Sequence, residues 1–122
     1  MRTLLDTHTL IWWDAGTLPA KTIRIIRDAD EVFVSAASVW EASIKASLGK
    51  LKAIASMSTV VRAYGFRELP ISFAHAERVE SLPKLHRDPF DRMLIAQAFV
   101  EGLTIVTRDP EFAPYGVPIA WR

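Results

Sequence analysis

Four acidic residues, Asp6, Glu41, Asp91 and Asp109, stand where a carboxylate could do chemistry. Asp6 closes the apolar run Leu4-Leu5, and Asp109 follows Thr104-Ile105-Val106-Thr107-Arg108. Glu41 lies early in the helical segment after the second strand-like run, and Asp91 lies in the first turn of the helix leading to the fourth. If those runs are parallel strands, all four acids lie beyond the strands' carboxyl ends, where open α/β sheets collect their ligands. Each acid also has a structural explanation of its own. Ser38-Val39-Trp40-Glu41 matches a capping box, Asp91 suits the positive end of a helix dipole, and Asp109 before Pro110 suits a turn or an N-cap. Asp6 is harder to explain this way, because a carboxylate ending a buried strand is costly without a partner.

Taken together the structural explanations weaken. Four carboxylates converging on one edge repel each other and resist ionising unless a cation lies between them. The sequence offers no buried lysine or histidine cluster at matching positions, whereas an oxygen-only cage suits Mg²⁺ or Mn²⁺. Four negative charges balance two divalent ions. Two such ions about 3.5 to 4 Å apart stabilise both the attacking and the leaving oxygen of a phosphodiester hydrolysis.

The elements that must position these acids follow from the hydrophobic pattern. Short runs rich in Val, Ile and Leu alternate with segments of helical period, which predicts parallel strands joined by crossover helices. Strands are expected at about 2 to 6, 32 to 35, 69 to 71, 104 to 107 and 118 to 120. Helices are expected at 20 to 29 after Pro19, at 36 to 48 between Ser35 and Gly49, and at 73 to 81. Ile54, Met57, Val61 and Tyr64 repeat at helical spacing up to Gly65. The helix at 89 to 101 is the best marked, with Asp88 as N-cap, Pro89 in the first turn and Gly102 after its end. It is apolar on nearly every face and is expected to be buried. With no repeat, low-complexity tract or linker, residues 1 to 122 read as one α/β domain.

Four segments together carry a family resemblance: Leu4-Leu5-Asp6-Thr7-His8, then Ser35-Ala36-Ala37-Ser38-Val39-Trp40-Glu41, then His86 to Ala98 including Asp88-Pro89-Phe90-Asp91, and finally Thr107-Arg108-Asp109. In order and spacing they resemble the signatures of PIN-domain toxins of the VapC type. The resemblance implies a three-layer α/β/α sandwich with a mostly parallel sheet of about five strands. It implies metal binding by Asp6, Glu41 and Asp91, with Asp109 at the fourth position. It further implies a Mg²⁺-dependent endoribonuclease, with Mn²⁺ also acceptable, that a small antitoxin encoded beside it silences. A homodimer is expected as well.

Other residues carry weaker signals. Arg87, Arg92 and Arg108 flank the acids and are expected to form a basic rim that holds RNA phosphates. Lys21, Arg24 and Arg27 read as a solvated helix face. His8, His75 and His86 lack spaced partners and read as structural or solvated, and no Ser pairs with a His and an acid as a triad would need. Trp12, Trp13 and Trp40 read as core, although adjacent tryptophans cannot both easily face one interior, so one is expected at a partner interface.

Composition narrows the alternatives. The absence of cysteine removes disulfides, zinc ribbons and thiol nucleophiles. A net charge of +1 leaves any nucleic-acid binding to the local placement of charge. Asp6 and His8 interrupt the apolar run of a signal peptide, and no stretch approaches the roughly 20 apolar residues of a membrane span, so a cytoplasmic location without a membrane anchor is expected. Two alternatives remain. A receiver-type signalling domain shares the length and Mg²⁺-binding acids, but Leu69-Pro70-Ile71-Ser72 lacks its phosphate-accepting Asp. An inactive PIN-like interaction module should have lost at least one of the four acids.

Overall fold

The computed structural model describes residues 1–50, 56–85 and 88–121. The chain runs β1 (Arg2–Leu5), α1 (Thr7–Ala15), α2 (Ala20–Asp28), β2 (Glu31–Ser35), α3 (Ala36–Ser47), α4 (Met57–Ala63), β3 (Arg67–Leu69), α5 (Phe73–Glu80), α6 (Pro89–Glu101), β4 (Thr104–Val106) and β5 (Ile119–Ala120). A short 3-10 turn, Ala113–Tyr115, precedes β5. The five strands form one sheet in the order β3-β2-β1-β4-β5, and every pairing is parallel. The expected mostly parallel sheet is thus wholly parallel. A receiver domain would instead follow the order 2-1-3-4-5, so that alternative falls on topology.

Alternate residues of each strand feed two cores, as the two-residue period of a strand requires. Leu4, Leu69 and Ile105 pack with Leu94, Ile95 and Leu103 on one face. Leu5, Val34 and Val106 pack with Leu10, Ile26, Val60 and Val61 on the other. Covering helices on both faces is what an all-parallel sheet demands. The order reverses between β1 and β4: chain connections run outward through β2 and β3 on one side and through β4 and β5 on the other. A crevice opens at such a reversal, beyond the carboxyl ends of the two strands.

Most expected elements stand where the pattern puts them, and the departures have local causes. β3 covers 67–69 rather than 69–71, because Pro70 has no N–H to give to a ladder. The helix carrying Met57, Val61 and Tyr64 is described from Met57 to Ala63, and Ile54 lies outside the described residues. Helix α1 was not expected at all. Its sequence, THTLIWWDA, has no apolar stripe, and its start is marked only by Asp6, whose side chain caps it.

α5 and α6 are tied by a polar joint inside the second layer. Buried His75 accepts the Ser72 backbone N–H at Nδ1 (3.0 Å) and meets Glu101 Oε2 at 2.7 Å through Nε2. Ser72 in return accepts the His75 N–H, which completes a capping box. The structural reading of His75 therefore holds. No helix among the described residues is long and apolar enough to cross a membrane.

Candidate active site

The register brings the first acid to the crevice. Leu5 pairs with Val34 on one side and Val106 on the other, so Asp6, Ser35 and Thr107 occupy the next row across three adjacent strands. Asp6 is buried, and as N-cap of α1 its Oδ1 accepts the Thr9 N–H at 2.7 Å. Oδ2 accepts the Thr107 hydroxyl at 2.5 Å. Thr9 in turn donates to the Val106 carbonyl at 2.9 Å, pinning the first turn of α1 to the end of β4. The partner that a buried carboxylate needs is thus supplied by one amide and one hydroxyl.

Glu41 reaches the same edge from α3. That helix is capped by Ser35, whose hydroxyl oxygen accepts the Ala37 N–H, so Ser38 is not an N-cap and the capping-box reading of Glu41 fails. Glu41 is buried in the second turn, with Oε1 accepting the Thr7 hydroxyl at 2.7 Å and Oε2 accepting Lys45 Nζ at 2.9 Å. Ser38 Oγ lies 3.0 Å from the same Thr7 hydroxyl. The cation that the repulsion argument requires is here an ammonium. Lys45 is not buried; from a side chain 40% exposed it extends back one helical turn to Glu41.

Asp91 enters from α6. The Glu101 carbonyl at that helix's end accepts a guanidinium N–H from Arg2 at the start of β1. The amino end of α6, with Asp91 on its first turn, therefore lies at the opposite edge, the one Asp6 occupies. Asp88 caps it as expected, its Oδ1 accepting the N–H groups of Phe90 (2.8 Å) and Asp91 (3.2 Å). Trp40 and Phe90, each next to one of the acids, meet edge to face at 5.1 Å and join α3 to α6.

Asp109 is linked to Asp6 through Thr107, whose hydroxyl accepts the Asp109 N–H at 3.0 Å. Its own Oδ1 accepts the Glu111 N–H at 2.9 Å, so the turn reading of Asp109 is realised for that oxygen. The four acids share one edge without closing on a common point: among the described residues, no three acidic or histidine side chains stand close enough to hold an ion. The donor chemistry, carboxylates and hydroxyls with no sulfur or imidazole ligand, suits a hard divalent cation.

The basic rim is only partly realised. Arg92 is turned inward, donating to the Pro83 carbonyl (2.7 Å), the Val79 carbonyl (3.3 Å) and the Tyr115 hydroxyl (3.2 Å). It clamps the loop before α6 instead of facing phosphate. Arg108 is exposed beside the acids, and Arg87 lies outside the described residues, as does His86. Trp40, read as core, is 60% exposed, because its place on α3 beside Glu41 points to the sheet's open edge. The residues that sequence reasoning passed over are Thr7, Ser38, Lys45 and Thr107. Two of these carried a signal, since Thr7 follows Asp6 directly and Thr107 opens Thr107-Arg108-Asp109.

Residues 3–117 match the family model described as PIN domain. The chain belongs to the PIN domain family. One curated relative, Ribonuclease VapC22 of Mycobacterium tuberculosis (strain ATCC 25618 / H37Rv), is 32% identical over 111 residues, covering 87% of this chain and 85% of its own. Among solved structures, this PIN domain superposes on a chain of VapBC2 from Rickettsia felis, bound to a DNA fragment from their promoter, with a TM-score of 0.76, 14% identity and full coverage of both chains. A chain of DNA-bound VapBC from Salmonella typhimurium gives 0.73 at 20% identity, over 98% of this chain and 97% of the other. A toxin-antitoxin complex from Klebsiella pneumoniae gives 0.69 at 21% identity, over 98% and 96%. At these identities the structures speak for the fold, which is the PIN fold.

Proposed function

We propose that this PIN domain is a divalent-metal-dependent endoribonuclease and the toxin of a VapBC-type pair. The observation that carries the reading is the pair of buried carboxylates, Asp6 and Glu41, set on either side of Thr7 at the strand-order reversal, with Asp91 arriving on the first turn of α6. Its relative at 32% identity is named a ribonuclease, which gives the site its substrate class. Asp6, Glu41 and Asp91 would hold the metal, with Asp109 as a fourth acid, and Mg²⁺ is the ion of choice with Mn²⁺ acceptable. When bound, such an ion neutralises phosphate charge and makes water a better nucleophile. The chain's own part is to fix the acids: Thr107 holds Asp6, Thr7 holds Glu41, and the first turn of α1 keeps both at the mouth of the crevice. Lys45 occupies Glu41 until a stronger cation competes for it.

The structural neighbours are described as toxin-antitoxin complexes, and by that likeness a small antitoxin is the partner and a homodimer the assembly. The test is cleavage of RNA by the purified chain with Mg²⁺ or Mn²⁺. Cleavage that stops in EDTA and in Asp6→Asn supports the reading, and cleavage undiminished in excess EDTA overturns the metal mechanism. The open arrangement of the acids favours one alternative, an inactive PIN-like interaction module. That alternative predicts no cleavage with either ion.

A further inference from the structure

Beside the acids, Arg108, expected in the basic rim, is built into a cluster of aromatic rings. Arg108 sits in sequence between Thr107, which donates to Asp6, and Asp109. Its guanidinium lies over the Trp12 ring, 4.9 Å from the centroid, and 5.8 Å from that of Trp121. The two indoles meet edge to face at 5.9 Å, and the ring of His8, two residues beyond Asp6, packs on Trp12 at 5.7 Å. Trp12 and Trp121 are half-buried against the core that holds Leu5, Leu10 and Val106, whereas Arg108 and His8 are exposed. Trp121 holds its place with φ of 71°, a left-handed backbone that a bulky side chain adopts only where its surroundings fix it. The result is a cationic plane on an anchored aromatic base, at the lip of the acid-lined crevice.

A phosphate contact alone would not need this construction, since any exposed Lys or Arg supplies the charge. A guanidinium plane backed by indoles suits a flat, electron-rich group, and unpaired bases stack on aromatic rings and on Arg planes. In a base-paired helix those faces are already stacked, so such a platform selects single strands. We infer that Arg108, seated on Trp12 and Trp121 with His8 beside it, stacks against one unpaired base of the strand whose phosphodiester lies at the acids. This inference rests on the ribonuclease reading and adds to it a residue that contacts a base.

The test uses binding in a background that does not cut. Asp6→Asn protein with Mg²⁺ is titrated against a short labelled single-stranded oligoribonucleotide, and against the same oligonucleotide carrying abasic positions. Arg108→Lys, made in that background, keeps the charge and removes the plane. The expected result is about ten-fold weaker binding of the intact strand by Arg108→Lys, a change within the range found when base stacking is lost. The slope of affinity against salt should be unchanged, because the cation count is the same. The abasic strand should bind both proteins equally weakly. Equal affinity of both proteins for the intact strand overturns the platform, as does the same loss on both strands, which would mark a phosphate contact. Failure of the parent to bind either strand overturns it too. If wild-type chain still cleaves RNA in any of these cases, only the platform has fallen; if it neither binds nor cleaves, the ribonuclease reading has fallen with it.

Discussion

One threonine hydroxyl, that of Thr107, donates to Asp6 and accepts from the Asp109 amide, so a single side chain sets the spacing of two acids. The Thr7 hydroxyl donates to Glu41 and lies 3.0 Å from Ser38 Oγ, so it positions one acid. These contacts define what a substitution removes. Asn caps a helix as well as Asp does, so Asp6→Asn should keep the Thr9 contact and change stability by less than about 1 kcal/mol. Cleavage should fall at least about 100-fold, the scale on which losing a group that stabilises transition-state charge is felt. Thermal unfolding and an RNA cleavage assay on the same preparation separate the two effects, and a comparable loss of both would mean that Asp6 is only a cap. Lys45 makes a contrasting case. Its ammonium competes with any ion that Glu41 is to bind, so Lys45→Met should lower the Mg²⁺ concentration for half-maximal cleavage by about two- to five-fold, a modest shift because the lysine is 40% exposed and screened. A higher Mg²⁺ requirement would show that Lys45 orients Glu41 instead of competing for it. Asp6 and Asp109 were legible as acids because carboxylates just beyond strand ends are unusual. The partners of the acids were not, since Thr7 and Glu41 are 34 residues apart and Asp6 and Thr107 are 101 apart, and only the sheet register joins them.

Helices were legible where their ends carry chemistry of their own. α6 begins at Asp88-Pro89 and stops at Gly102, whose φ of 68° is the left-handed cap that glycine accepts at least cost. α1 ends on the same left-handed glycine, Gly16, but has neither a proline in its first turn nor an apolar stripe, and its capping Asp6 reads equally well as the end of a strand. The same ambiguity gives the fold its economy, because the turn that ends β1 also starts α1 and leaves a carboxylate at the crevice. Asp88 and Asp91 are three residues apart on α6 and should separate cleanly in experiment. Asp88→Ala removes a side chain that accepts two backbone N–H groups, at a cost of about 1 kcal/mol in unfolding free energy, while metal-dependent cleavage remains measurable. Asp91→Asn leaves that cap in place and should eliminate cleavage. An inactive but fully stable Asp88→Ala beside an active Asp91→Asn would reverse the assignment. His75 belongs to the same scale. His75→Ala strips α5 of its reciprocal cap and of the contact to Glu101, and should cost about 2 to 3 kcal/mol with the remaining folded protein still cleaving, because the joint lies at the far end of α6 from Asp91.

At the scale of the whole molecule, a net charge of +1 gives no field strong enough to hold RNA by itself, so recognition rests on local groups at the crevice. The surface beside that crevice is apolar. Trp40, 60% exposed, borders with Ile71 and Phe90 a groove of about 420 Å³ between α3, α5 and α6. Sequence pattern alone could not show this groove, since Trp40 is an ordinary core type and only the packing of three helices leaves it outside. An exposed apolar groove of this kind marks a protein interface, and large aromatic side chains carry much of the binding energy there. Glu41 and Asp91 lie next in sequence to Trp40 and Phe90, so a partner seated in the groove can bring a basic side chain to the acids. An antitoxin that presents an apolar segment followed by a cation would fit both the groove and the acids. Co-expression with the small protein encoded beside this chain should therefore yield one complex on gel filtration at micromolar concentration, inactive in RNA cleavage. Trp40→Ser should weaken that complex at least ten-fold while changing the unfolding midpoint of the free chain little, because the indole is mostly in solvent. Two proteins eluting apart would remove the antitoxin from the proposal, and a Trp40→Ser complex as tight as wild type would move the interface to another face of the molecule.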